Sequence, residues 1–143
     1  EVRQSLEGMA ARLAANKFSS PGLSSFGPRF QEMIDDPEKF DLAETYDFGA
    51  AFHLEMFRAA GNKYLLGLYE PMRLQFSVAL GLPRYYDPQW VRSSVSAHLA
   101  ILHAIEDGDV EGADHEIVDH LDKSMQVRSR IIDRLAEVGG ARE

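Results

Sequence analysis

The sequence predicts an all-α protein, an antiparallel bundle of about six helices. Three observations carry that expectation. Apolar residues recur at helical spacing along nearly all of the 143 residues, no segment alternates apolar and polar as a half-buried strand would, and short breaks rich in Gly, Pro and Asp separate the periodic segments. No internal repeat is present.

The first helix is expected over about 1–16, where Val2, Leu6, Met9, Ala10 and Leu13 recur at helical spacing before "SSPG" interrupts the chain. The second, from about Pro21 to Asp35, takes its stripe from Leu23, Phe26, Phe30, Met33 and Ile34, with Gly27 and Pro28 interrupting it and "DDPEKFD" ending it. The third runs from about Leu42 to Ala60, and Gly61 suits the left-handed position that closes a helix. The fourth is "KYLLGLYEPMRLQFSVAL", with Leu65, Leu68, Tyr69, Met72, Phe76 and Ala79 on one stripe and Pro71 as a kink. After a loop, "GLPRYYDPQW", Asp87 and Pro88 read as the N-cap and first residue of a fifth helix reaching about 106. "EDGDVEG" is a tight reversal with Asp109 as N-cap, and the sixth helix follows over about 110–138, stopped by two glycines.

Apolar residues make up 45% of the chain and charged residues 27%, the composition of one soluble globular domain. There is no apolar run approaching the roughly 18 residues of a membrane span, which together with the absence of Cys fits the cytoplasm. Without Cys, any transition metal would have to be held by His and carboxylate. A net charge of −8 makes this chain a poor partner for nucleic acid by itself. The opening "EVRQSLEGMAARLAA" starts in mid-helix without Met and reads as part of something longer.

The stretch "GAAFHLEMFRAAGN" poses the functional question. Positions 49, 52, 53, 56, 57 and 60 share one helical face, and all but His53 are apolar or small. A lone inward histidine is ordinarily a hydrogen-bonded core residue. Here it is not alone: His98 shares the stripe of Val95, Leu102 and Ile105, and His120 that of Ala113, Ile117, Leu121, Ser124, Arg128, Ile131 and Leu135. Three imidazoles from three facing helices make a natural site for a divalent metal, zinc first and nickel or manganese as alternatives. His103 lies about 140° round its helix from His98. His115 falls between the apolar positions 113 and 117, and both are expected in solvent.

The segments "VRQSLEGMAARLAA", "FHLEMFRAAGNKYL" and "SAHLAILHAIEDGDVEGADHEIVDHL", in that order and covering essentially the whole chain, resemble the effector-binding FCD domain of FadR-type GntR transcription regulators. The resemblance implies a bacterial, ligand-responsive regulator that works as a homodimer, with a winged helix-turn-helix preceding residues 1–143. It implies a small organic acid as effector and no catalysis. Many members hold a metal through an Asp, a His four residues later, and two further histidines, and His53, His98 and His120 match the three histidine positions. Gly49 stands where those members carry the Asp, and an Asp introduced there is expected to strengthen metal binding. Asp47 is a further candidate ligand, although two residues from the family position it faces another side of the helix. Arg3 and Arg73 are candidates to grip an effector carboxylate with paired hydrogen bonds, and Asn62 matches the family's Asn. The rival readings are a metal-dependent enzyme of the DinB-like three-histidine type and a purely structural bundle.

Overall fold

The computed structural model describes the backbone of residues 1–17, 20–78 and 87–140, and all their side chains except those of 74–78, 135 and 138–140. Ala79 and the expected loop before Asp87 lie outside the described residues, as do the side chains of Phe76 and Leu135. The architecture is an all-α bundle, with no strand among the described residues. The helices are α1 (Val2–Ala15), α2 (Pro21–Ser24), α3 (Phe26–Asp35), α4 (Leu42–Ala60), α5 (Lys63–Val78), α6 (Pro88–Glu106) and α7 (Val110–Gly140), with a single 3₁₀ turn, Pro37–Lys39.

Local chemistry sets most of these boundaries. Asp41 accepts a hydrogen bond from the Glu44 N–H at 2.7 Å and starts α4, and Gly61 ends it at φ 63°. Asn62 then accepts from the N–H groups of Tyr64 and Leu65, both at 3.1 Å, and starts α5. Asp87 caps α6 through the Gln89 N–H at 2.7 Å, with Pro88 in the first turn where its missing N–H costs nothing. Asp109 accepts from the Gly112 N–H at 2.9 Å and opens α7.

Three expectations need correction. The segment 21–35 is two helices rather than one, broken at Ser25. Pro28 has no N–H to give the Ser24 carbonyl, so an unbroken helix would lose that bond, and the chain instead restarts with Pro28 in the first turn of α3. Helix α7 continues through both glycines to Gly140. The buried face of α1 keeps only part of the expected stripe: Ala10 is buried and Leu6 and Leu13 pack half-buried against the core, but Val2 is 69% exposed and Met9 44%, while Glu7, Gly8, Ala11, Ala14 and Ala15 complete the buried face. Small residues let α1 lie close against its neighbours, chiefly α4 and α7, with α6 packing on α7, α3 and α4. A Cβ on Gly8 would run into the carboxylate of Asp114 on α7.

The core is closed by aromatic rings carried mainly by α3 and α4. Phe30 meets Phe52 edge-on at 5.2 Å and stacks on His98 at 5.4 Å, while Phe57 lies flat against Tyr69 at 3.9 Å. Phe30 therefore fixes one wall of the histidine cluster. Because it is fully buried, Phe30→Ala is expected to destabilise the domain by about 3–5 kcal/mol. Leu68→Ala, at a residue 62% exposed, should change stability by less than about 0.5 kcal/mol. Urea unfolding of the two variants checks both values.

Candidate metal centre

Helices α4, α6 and α7 each turn one histidine to the interior. His53, His98 and His120 are all buried, and they offer ligand atoms that lie within 4.8 Å of one another. His53 Nε2 and His98 Nε2 are 3.1 Å apart, and the His98 and His120 rings are centred 4.5 Å apart. Two imidazole nitrogens bound to one tetrahedral zinc stand roughly 3.3 Å apart, given Zn–N bonds of about 2.0–2.1 Å. The donors thus suit such an ion. His103 and His115 are exposed, as their positions on α6 and α7 require.

Burial lowers the basicity of His98 well below its usual value, helped by the neighbouring His120 and His53. Burial likewise lowers His120, to about 3, with His53 contributing. Both rings are therefore neutral near pH 7 and have lone pairs to donate. His98 Nδ1 is buried with no hydrogen-bond partner among the described residues. Such an orphaned buried polar atom costs about 1–3 kcal/mol, and an ion held at Nε2 would not relieve it.

The residue that sequence reasoning missed is Glu7. Fully buried on α1, it accepts from Arg3 Nε at 2.5 Å through one oxygen and meets His53 Nδ1 at 2.5 Å through the other. Burial alone would raise its pKa, but His53 and Arg3 outweigh burial and leave it lowered to about 2. With Nδ1–H given to a carboxylate, His53 turns its Nε2 lone pair toward His98 and His120, the arrangement in which an outer carboxylate orients a metal-binding histidine. The signal for Glu7 lay in its spacing: it shares a helical face with Ala10, Ala11 and Ala14 and stands one turn after Arg3.

The other sequence candidates fall in different places. Asp47 is exposed on α4 and stands outside the converging donors, so it supplies no fourth ligand. Gly49 is not a gap awaiting a carboxylate, because a Cβ there would sit 2.5 Å from His98 Cε1 and force that ring to move. The gain expected from an Asp at 49 therefore loses its basis. Asn62 is committed to starting α5 and does not line the site. Arg3 and Arg128 line the cavity at the histidines, and both, together with Arg73, line a smaller hollow that adjoins it at His53. The cavity itself measures about 50 Å³ and the hollow about 30 Å³. That is room for an ion and a few waters, well short of the roughly 300 Å³ at which ordinary ligand pockets begin.

The family model of the FCD domain matches residues 1–123. Among curated proteins, the chain is similar to the probable D-xylose utilization operon transcriptional repressor of Paenarthrobacter nicotinovorans, with 29% identity over 120 residues, covering 84% of this chain and 52% of the relative. The chain thus spans about half the length of the curated relative it matches. Among solved structures it resembles E. coli McbR/YncC, with a TM-score of 0.78 and 19% identity, over 92% of this chain and 62% of that one. At that identity the likeness is one of fold.

The neutral histidines make stability depend on acidity. An unfolded histidine takes up a proton near pH 6.5, whereas folded His98 and His120 do so only at much lower pH. Between those limits the unfolded chain binds more protons, so stability is full above about pH 6.5 and falls as pH drops toward about 3. For metal-stripped protein, urea unfolding at pH 5.5 should give a stability about 2 kcal/mol below that at pH 7.5. His120→Gln should remove about half of the difference.

Proposed function

The chain belongs to the FCD domain family of GntR-type transcription regulators, and from that premise we propose that it is the effector-sensing and dimerisation unit of a FadR-type regulator. In this reading a small organic acid binds at a divalent metal held by His53, His98 and His120. Its binding controls the grip of a winged helix-turn-helix elsewhere in the same polypeptide on DNA. The family and the curated relative are transcription regulators, not enzymes, so the enzyme reading of the three histidines falls away. No helix among the described residues is long and apolar enough to cross a membrane, and the proposed setting is the cytoplasm of a bacterium.

The observation that carries this proposal is the convergence of three buried histidines from three helices, two of them held neutral and one oriented by Glu7. When bound, a divalent ion would supply a Lewis-acidic centre with positions left for a carboxylate oxygen. Zinc suits an all-imidazole set best, with nickel and manganese as the alternatives. The protein's own groups do the rest. Arg3, Arg73 and Arg128 place positive charge beside His53. Since the whole chain carries −8, attraction for an anion is local to this pocket.

Arg3 is the residue through which effector binding would reach the start of α1. Its guanidinium already holds Glu7, and an incoming carboxylate would compete for the same donors. Glu1, the end at which the proposed DNA-binding domain would join, lies within one helical turn of that contact.

Elemental analysis of protein purified without a metal-affinity tag should find close to one divalent metal per chain. His53→Ala and His120→Ala should abolish uptake, while His103→Ala and His115→Ala should leave it intact. Glu7→Gln, which keeps the shape and removes the charge, is expected to weaken metal binding about 10- to 100-fold. Substoichiometric metal in the parent protein, together with no thermal shift on adding zinc, nickel or manganese, would refute the proposal.

A further inference from the structure

The cavity at the three histidines is too small to enclose a whole organic acid, but a larger hollow adjoins it. Trp90, Ser94 and His120 line both it and an outer groove of about 260 Å³ between α6 and α7, which runs past Ser93 and Lys123 to Arg130. Trp90, Ser93, Val127 and Arg130 in turn line a further hollow of about 380 Å³ that reaches Arg134. The three hollows thus adjoin one another along α6 and α7, sharing these residues as walls.

Its charge is opposite to that of the chain. Lys123, Arg130 and Arg134 line the two outer hollows, and Asp87 is the one acid there. The Asp87 carboxylate is occupied in capping α6. Lys123 is paired with Asp119 at 2.6 Å, so its charge is partly answered. Arg130 gives Nε to the Gln126 carbonyl at 3.2 Å, which steadies the base of the guanidinium on the groove wall. Arg130 and Arg134 also lie beyond residue 123, where the match to the family model ends.

We propose that the α6–α7 groove is the outer half of the effector site, taking the second anionic group of an extended dianionic acid whose first carboxylate meets the histidine cluster. Arg130 is the residue that grips it. This rests on reading the cluster as an effector site. Ten residues separate His120 from Arg130, about 15 Å along the helix axis, and the long arginine side chain leans back toward the helix N-terminus. The ligand therefore has to reach on the order of 10 Å, a chain of six carbons or slightly more. Monoanions of the same length would leave the guanidinium without its partner.

Two acids with the same metal-binding end separate these cases: 2-hydroxyadipate, which carries a second carboxylate, and 2-hydroxyhexanoate, which does not. Calorimetry on the zinc-loaded chain should show the diacid binding at least about tenfold more tightly. Arg130→Ala should erase that advantage while leaving the affinity for 2-hydroxyhexanoate and the zinc content unchanged. Trp90 is the chain's single tryptophan, so its fluorescence should respond to the diacid and much less to the monoacid. Equal affinity of the two acids, or an Arg130→Ala variant that still prefers the diacid, overturns the groove assignment and leaves the cluster reading standing. Failure of both acids to bind overturns both. A change in sedimentation on Arg130→Ala, with ligand affinity unaltered, would assign the groove to contact between copies of the chain and overturn the proposal as well.

Discussion

The Glu7 carboxylate sits ionised inside an apolar bundle, and the arrangement of the site follows from how that charge is answered. An unpaired buried charge would cost several kcal/mol, so a carboxylate survives there only with close partners on both oxygens. One partner is Arg3, a turn earlier on α1, and the other is His53 on α4. The second contact sets which nitrogen of His53 faces inward, and with it which face of the ring meets His98 and His120. The same charge raises the pKa of Tyr69, whose burial is the larger cause. A single side chain on the first helix thereby bears on groups of both α4 and α5.

Much of this was legible beforehand. His53, His98 and His120 stand on strongly periodic stripes in long helices, where a 3.6-residue repeat leaves little freedom about which way a residue points, and all three are buried. The caps Asp41, Asp87 and Asp109 and the left-handed Gly61 were readable because their chemistry is local. What could be read only in part was α1. Its larger apolar residues suggested one face, but the bundle turns further toward the alanines, because close approach between helices is worth more there than burying Val2 or Met9. Glu7 was missed for the same reason: on the assumed face it is a surface acid, and rotated by the alanines it becomes the centre of the site. The break at Ser25 turns on one missing N–H, that of Pro28, which periodicity does not register.

The Gly49 departure also changes meaning in the folded molecule. From sequence it is a lost ligand. In the bundle it is the position that makes room for His98, whose ring occupies the space a side chain would take. The buried carboxylate of this cluster is that of Glu7 on α1, which supports His53 from behind. His98 and His120 are neutral there, and the carboxylate nearest the cluster is engaged by Arg3 and His53.

The alanine face of α1 has one more consequence. Ridges of large side chains interlock like gear teeth and index one helix against another, but a row of alanines is nearly smooth and defines spacing without defining axial position. Along α1 that position is set by polar tethers. Gln4 reaches Asp122 and Arg12 reaches Asp114 at 2.8 Å on α7, while Glu7 holds His53 and Lys17 holds the Ala60 carbonyl at 2.8 Å on α4. The lengthwise setting of α1 is thus an electrostatic quantity, held by a few charges along a rod about 21 Å long. Ionic strength can tune it without touching the apolar core, because the exposed tethers are screened by salt while the buried one at Glu7 is not.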